Sequence, residues 1–171
     1  TQYEVYPHRH DKDKQNPKVL DLCAGSGCIG ISLACDYPES AVVLVEKYPE
    51  AKRYIDENLK LNDAYNALAV LGDVFEGTAN TEKYDLIVSN PPYIPPSEMD
   101  ITSPETKFEP QTALLGGEDG LDFYRAIIEN YKNSLKISGM LAFEVGINEA
   151  DKVATLLKEN CFEEIQIIKD L

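Results

Sequence analysis

The sequence predicts an α/β domain with a mostly parallel sheet and helices on both of its faces. Short apolar runs typical of buried strands alternate along the chain with stretches of helical periodicity. Such alternation indicates β-α-β units, whose crossover helices cover the two faces of a parallel sheet. The 171 residues are enough for one domain that buries roughly 70% of its unfolded surface.

The elements are predicted in order from apolar runs, glycine turns and helix-start signals. Residues 1–17 are a polar leader or linker remnant, and 90–117, with six prolines, form a long loop. Strands are predicted at 18–22, 41–46, 67–71, 84–89, 140–145 and 164–168. Helices are predicted from the glycine turn to about Tyr37, and over 49–61, 119–136 and 148–159.

Composition excludes several classes of protein. Sixteen Lys and Arg stand against 30 Asp and Glu, for a net charge of −14, so we expect this domain not to bind nucleic acid directly. There is no apolar run of membrane length and no signal-peptide pattern, which favours a soluble, cytoplasmic protein. The four cysteines have neither C-x-x-C spacing nor nearby histidines, so we expect free thiols and no metal site.

The most informative motif is Asn90-Pro91-Pro92-Tyr93, directly after the predicted strand 84–89. Open α/β sheets bind ligands beyond the carboxyl ends of their strands. The Asn90 amide and the free carbonyls of the prolines could accept hydrogen bonds from a substrate NH2 group. Tyr93 offers a flat face for stacking on a planar amide or base. The alternative is a purely structural proline turn that ends the strand.

A glycine loop follows the first strand, and an acid follows the second. Gly25-Ser26-Gly27-Cys28-Ile29-Gly30 matches G-x-G-x-x-G between a strand and a helix. Glu46 lies 21 residues after Gly25, where a carboxylate can bind the hydroxyls of an adenosine ribose. These two features leave a nicotinamide dinucleotide, S-adenosylmethionine and a structural turn as alternatives.

Three further features favour S-adenosylmethionine. The carboxylate of Asp21 precedes the loop, where it would attract a cationic amino-acid or sulfonium group and repel a pyrophosphate. The carboxylate of Asp73 could accept a hydrogen bond from the exocyclic amine of adenine. The apolar side chains of Val74 and Phe75 beside it could enclose the ring. The Asn90 tetrapeptide adds substrate recognition that a dehydrogenase would not need.

Taken together, these motifs resemble the HemK (PrmC) protein-glutamine methyltransferases. The resemblance covers residues 18–171 and rests on Asp21-Leu22-Cys23-Ala24-Gly25-Ser26-Gly27, Gly72-Asp73, Ser89-Asn90-Pro91-Pro92-Tyr93-Ile94 and the segment 108–125, which begins Phe108-Glu109-Pro110. N-P-P-Y alone is shared with DNA and rRNA amino-methyltransferases, whereas the 108–125 segment is much more specific.

The resemblance implies a class I methyltransferase sheet and methylation of a glutamine amide in the Gly-Gly-Gln loop of a peptide-chain release factor. It places cofactor contacts on Cys23, Ala24, Gly25, Ser26, Gly27, Glu46, Val74 and Asn90. It places substrate contacts on Asn90, Pro91, Pro92 and Tyr93. Asn90 and Pro91 would orient the amide, and Tyr93 would stack on it, which makes these three the expected catalytic residues.

The resemblance also implies an N-terminal helical recognition domain and a final strand that this sequence does not display. We therefore expect 18–171 to be a catalytic domain alone, with a frayed or rearranged edge beside its last strand. Methylation of rRNA or DNA amino groups is the alternative activity. A cofactor-binding fragment without turnover is the second alternative, and a nicotinamide-dependent dehydrogenase is the third.

Overall fold

Five parallel strands form a single sheet in the order β3-β2-β1-β4-β5. The computed structural model describes residues 16–77, 81–101, 110–146 and 148–169. The strands are β1 (Lys18–Leu22), β2 (Ala41–Glu46), β3 (Ala67–Leu71), β4 (Tyr84–Ser89) and β5 (Leu135–Phe143). The first four have the predicted bounds, because each is a short apolar run between clear turn residues.

Helices cover both faces of this sheet, as predicted. They are α1 (Cys28–Asp36), α2 (Pro49–Leu61), α3 (Asp122–Tyr131) and α4 (Ala150–Glu159), with 3₁₀ turns at Pro96–Ile101, Gln111–Ala113 and Lys132–Ser134. Alternate residues of β1 belong to different cores: Val19 packs with α1 and α2, whereas Leu20 packs on the α3 side. The parallel sheet thus buries both faces, which explains its nearly continuous apolar strands.

The boundary between α3 and β5 differs from the prediction. The helix expected over 119–136 begins only at Asp122, because Gly120 has φ +77°, and it ends at Tyr131. Leu135, which continues the apolar stripe of the helix, instead pairs with Tyr84 as the first residue of β5. The predicted turn at Ser138-Gly139 lies inside β5 as a bulge: Leu86 already pairs with Met140, and Ser138 has φ +63°.

The predicted strand at 164–168 does not form. Residues 165–169 have no regular structure, and Ile168 is 82% exposed. A strand needs a neighbour for its backbone N–H and C=O groups, and no described segment pairs with this one. The apolar alternation of Ile165 and Ile167 is therefore not sufficient for strand formation.

Two further sequence-based expectations concern the leader and the thiols. Residues 1–15, including His8 and His10, lie outside the described part of the chain, as do 102–109 of the long loop. All four cysteines are free.

Among the described residues, no helix combines the length and the apolar character that crossing a bilayer requires.

Candidate active site

The candidate site lies at the carboxyl edge of the sheet, where the strand order changes direction. The chain moves outward from β1 through β2 and β3, then returns to place β4 on the other side of β1. Leu22 pairs with Ser89, whose hydroxyl donates to the Leu22 carbonyl at 2.7 Å. The glycine loop and the Asn90 corner follow these two paired residues. Ligands of open α/β sheets bind at such reversal points, because the loops leaving the two strands diverge.

The loop after β1 has an unusual backbone. Cys23, Gly25 and Gly27 have φ angles of 57°, 59° and 83°, and the Gly27 N–H donates to the Ala24 carbonyl at 2.7 Å. Glycine adopts such angles without steric cost, whereas Cys23 is strained. Apart from its own chain neighbours, no described atom lies within 4 Å of where a side chain would begin at Gly25. A ligand can therefore contact the backbone of Gly25 directly.

Neighbouring elements hold this loop in place. The Ala24 N–H donates to the Val45 carbonyl at 3.1 Å, which ties the loop to β2. The side-chain amide of Asn58, on α2, donates to the Ser26 carbonyl at 2.9 Å. These bonds fix the loop by its backbone and leave the exposed side of Gly25 and Ser26 open to solvent.

Glu46 connects the ends of β1 and β2. It is buried, and its two carboxylate oxygens accept the N–H groups of Gly25 at 2.8 Å and Tyr48 at 2.9 Å. Each carboxylate oxygen can accept more than one hydrogen bond, so both retain acceptor capacity for a ligand hydroxyl. Glu46 thus orients the glycine loop in addition to being available for the predicted ribose contact.

Two groups beneath the loop are poorly solvated. Asp21 is 1% exposed and accepts the Gly30 N–H at 2.8 Å, so this carboxylate faces the first turn of α1. Burial raises the pKa of Asp21 to about 7, and the Gly30 N–H opposes part of the rise. Burial also raises the pKa of the Cys23 thiol to about 12, so it is not a thiolate at neutral pH. Cys23 can therefore act here through its backbone, but not as a nucleophile.

Asp73 lies beyond the end of β3 and is held in an ion pair. It accepts Lys47 Nζ at 2.8 Å and the Phe75 N–H at 3.0 Å. Burial raises its pKa, but the bonds from Lys47 and Phe75 outweigh that effect and hold it below the ordinary value. Val74, the next residue, is buried, while Phe75 packs edge-on against Phe123 with ring centres 4.9 Å apart. An anionic acceptor thus adjoins apolar side chains.

The Asn90 corner begins at the last hydrogen bond of β4. The Glu144 N–H donates to the Ser89 carbonyl at 3.0 Å, and the next residue, Asn90, is exposed. Pro91 is buried, whereas Pro92 and Tyr93 are half-buried. The corner therefore presents a flexible amide on a backbone that two proline rings stiffen.

A segment distant in sequence pairs with the backbone that follows this corner. Ile94 forms a bridge with Leu115: its N–H donates to the Leu114 carbonyl at 2.8 Å, and its own carbonyl accepts the Gly116 N–H at 3.0 Å. A Cβ atom at Gly116 would lie 2.6 Å from Cα of Tyr93, and one at Gly120 would lie 2.5 Å from the Tyr93 carbonyl oxygen. Only glycine permits such approaches, so this glycine cradle (Gly116 and Gly120) sets the position of Tyr93.

The structure thus brings together the predicted residues at the ends of four adjacent strands, while the Asp21 carboxylate lies beneath the loop. Sequence reasoning missed Lys47, which pairs with Asp73, and Glu149, which is buried near Tyr93. From the sequence, Gly116 and Gly120 stand out only as part of the 108–125 motif. Glu149 had no sequence signal, because an acid at the start of a helix is common.

Comparison with known proteins shows the family of this chain. Residues 8–106 match the methyltransferase small domain. The release factor glutamine methyltransferase of Thermodesulfovibrio yellowstonii is 38% identical over 90% of this chain and 55% of its own length. That of Clostridium acetobutylicum is 40% identical with the same coverages. The chain therefore spans about half the length of the curated relatives it matches.

Solved structures share the fold at low sequence identity. A ribosomal protein L11 methylase from Lactobacillus delbrueckii aligns with a TM-score of 0.64 and 18% identity, over 92% of this chain and 67% of that one. A precorrin-6y C5,15-methyltransferase from Geobacter metallireducens aligns with a TM-score of 0.61 and 18% identity, over 85% of this chain and 62% of that one. Both likenesses confirm the predicted class I methyltransferase fold.

Fold and family model together define the class of domain: a methyltransferase domain with the predicted class I fold. The glycine loop, Glu46 and the Asn90 corner follow the adjacent strands β1, β2 and β4 of this fold. The chain belongs to the methyltransferase small domain family.

Proposed function

We propose that this protein transfers the methyl group of S-adenosylmethionine to the side-chain amide nitrogen of a glutamine in a peptide-chain release factor. The observation that carries the proposal is the exposed Asn90 amide at the strand reversal, next to the glycine loop and held by the glycine cradle. The curated relatives named above, at 38–40% identity over 90% of this chain, support the choice of substrate.

Residues of this chain suit each part of the cofactor. The exposed backbone of Gly25 admits close contact, and Glu46 retains acceptor capacity for the ribose hydroxyls. Asp73, beside the buried Val74, would accept from the exocyclic amine of adenine. Cys23 to Gly27 would line the amino-acid moiety, and Asp21 beneath the loop would favour its positive charge when ionised. When bound, the cofactor supplies a methyl group on a positively charged sulfur, and the sulfur keeps the electron pair when its bond to the methyl carbon breaks.

Asn90 and Pro91 would orient the acceptor. An amide nitrogen is a weak nucleophile because its lone pair is delocalised into the carbonyl group. The side-chain oxygen of Asn90 and the carbonyl of Pro91 would accept hydrogen bonds from its two N–H groups and so direct the nitrogen toward the methyl carbon. Orientation of this kind supplies up to roughly 7–11 kcal/mol in ideal cases. Both hydrogen bonds strengthen as positive charge develops on nitrogen, and the nitrogen then loses one proton to solvent.

Tyr93 would provide the face on which the amide plane stacks. Its ring position depends on its backbone, and the close approaches of Gly116 and Gly120 restrict that backbone. Asn90 and Tyr93 would thus act as a preorganised pair, with little rearrangement on substrate binding.

We further propose that residues 18–171 form a catalytic domain that works with a separate recognition domain. We also propose that the net charge of −14 favours a protein substrate over nucleic acid, because acidic groups repel phosphates. The test is mass spectrometry of a release factor, a Gly-Gly-Gln peptide and rRNA after incubation with the protein and S-adenosylmethionine. We expect a single methyl group on glutamine. A methyl group on rRNA alone would refute the proposal.

A further inference from the structure

Glu149 is a buried acid near Tyr93 that the mechanism above does not use. It is 5% exposed and immediately precedes α4, with its backbone N–H donating to the Gly146 carbonyl at 3.1 Å. Its carboxylate makes no side-chain hydrogen bond to cap the helix. No donor or cation of the described residues bonds to this carboxylate.

The carboxylate lies next to Tyr93. A side chain at Gly146 would overlap the Glu149 carboxylate and would come within 3.1 Å of Cδ2 of the Tyr93 ring, so both groups face the same side of Gly146. Buried Tyr124 is a common neighbour: burial raises its pKa, and the charges of Tyr93 and Glu149 raise it further. Glu149 thus belongs to the surroundings of the Asn90 corner.

Pairing between strands explains this proximity. Phe143, the last residue of β5, pairs with Ser89, the last residue of β4. The chain that continues to Glu149 therefore runs beside the chain that continues to Tyr93. Both follow the carboxyl edge of the sheet, where the acceptor would bind.

A carboxylate in this environment has unused acceptor capacity. A largely buried carboxylate without a hydrogen-bond partner is costly, and a ligand that supplies a donor would offset that cost. In the described part of the chain, every side-chain polar atom shielded from solvent has a hydrogen-bond partner. The oxygens of Glu149, which have no such partner, are therefore not fully shielded from solvent.

We propose that Glu149 is a substrate-binding residue, whose carboxylate accepts a hydrogen bond from a backbone N–H of the peptide that carries the acceptor glutamine. This inference rests on the proposed function and deepens it. A peptide presents N–H donors on both sides of the glutamine, whereas a nucleic acid would present phosphates that a carboxylate repels. Glu149 would thus favour a protein acceptor over RNA or DNA.

The test compares two replacements of similar length. Glu149→Met removes the acceptor oxygens and places an apolar side chain near buried Tyr124, whereas Glu149→Gln keeps one acceptor oxygen. Glu159→Met is the matched control, since Glu159 is exposed at the other end of α4. For each protein, KM and kcat are measured with a Gly-Gly-Gln peptide and saturating S-adenosylmethionine, and the melting temperature is measured separately.

We expect Glu149→Met to raise KM about tenfold with kcat within about twofold, since a charge-assisted hydrogen bond is lost from substrate binding. Glu149→Gln should fall between Met and the wild type. The melting temperature of Glu149→Met should equal or exceed that of the wild type, because an unpartnered buried charge is removed. The control should match the wild type in all three measurements.

A purely structural role for Glu149 at the start of α4 would give the opposite pattern. The melting temperature of Glu149→Met would then fall while KM stayed at the wild-type value, and the inference would be overturned. If the wild type methylates the peptide and Glu149→Met has an unchanged KM, the proposed function stands and only the role of Glu149 is removed. Wild-type protein that methylates RNA and never the peptide removes both.

Discussion

Asp21, the acid beneath the glycine loop, should make the protein less stable as the pH rises, and Asp21→Asn should remove this dependence. Its folded pKa of about 7 lies above the ordinary value of 3.8, chiefly because it is buried. The unfolded chain therefore releases this proton at a lower pH than the folded protein does. The resulting contribution to stability is fully present below pH 3.8 and is lost as the pH rises through 7.

The size of the effect follows from the gap between the two values. A gap of roughly 3 pH units, at about 1.4 kcal/mol each, amounts to about 4 kcal/mol in all. Integration over pH 5 to 8 gives about 3 kcal/mol of that total. In the Asp21→Asn variant the side chain would stay neutral at every pH, and its amide oxygen can still accept the Gly30 N–H. The buried NH2 group of the variant adds a cost that does not vary with pH, so the change with pH is the quantity to measure.

Urea denaturation of both proteins at pH 5, 6, 7 and 8 measures the effect as a difference in the free energy of unfolding. We expect the stability of Asp21→Asn relative to wild type to increase by about 3 kcal/mol from pH 5 to pH 8. Asp36→Asn, at the exposed end of α1, is the control and should show no such trend. A difference that stays constant across this range would refute the assignment of a raised pKa to Asp21.

Three further substitutions test the site. Asn90→Ala should abolish methylation of a glutamine peptide while shifting the melting temperature by less than about 2 °C, since the side chain is exposed; unchanged turnover would exclude its role. Gly116→Ala should lower kcat about 100-fold by displacing the Tyr93 backbone, with cofactor affinity retained in calorimetry; normal kcat would show that the cradle is dispensable. Glu46→Gln should weaken S-adenosylmethionine binding about tenfold by calorimetry, because a charged acceptor for Gly25 and the ribose is lost, and equal affinity would contradict this.

Much of the fold could be predicted because its first half is determined locally. Strands β1 to β4 are short apolar runs, and α2 begins at Pro49 with Glu50 in its first turn and Lys60 in its last. Both charges stabilise the helix through its dipole. No distant contact is needed to define these elements, so the pattern and the structure agree.

The second half depends on pairing that a local pattern does not contain. Leu135 has the spacing of the α3 stripe, yet its pairing with Tyr84 assigns it to β5. Residues 164–168 have the alternation of a strand, yet no described strand pairs with them. In both cases the position of a hydrogen-bonding neighbour decides, because β structure is defined by pairs of strands.

The site shows the same division between local and distant determinants. The tetrapeptide itself points to Asn90, because a polar residue followed by two prolines at a strand end is conspicuous. The position of Tyr93, however, depends on Gly116 and Gly120, more than 20 residues away. These glycines have no chemistry of their own, yet any side chain at Gly116 would push the corner out of place. The acceptor side of the site is thus a composite of two segments, and a substitution in the cradle should impair catalysis even though it removes no group that contacts the substrate.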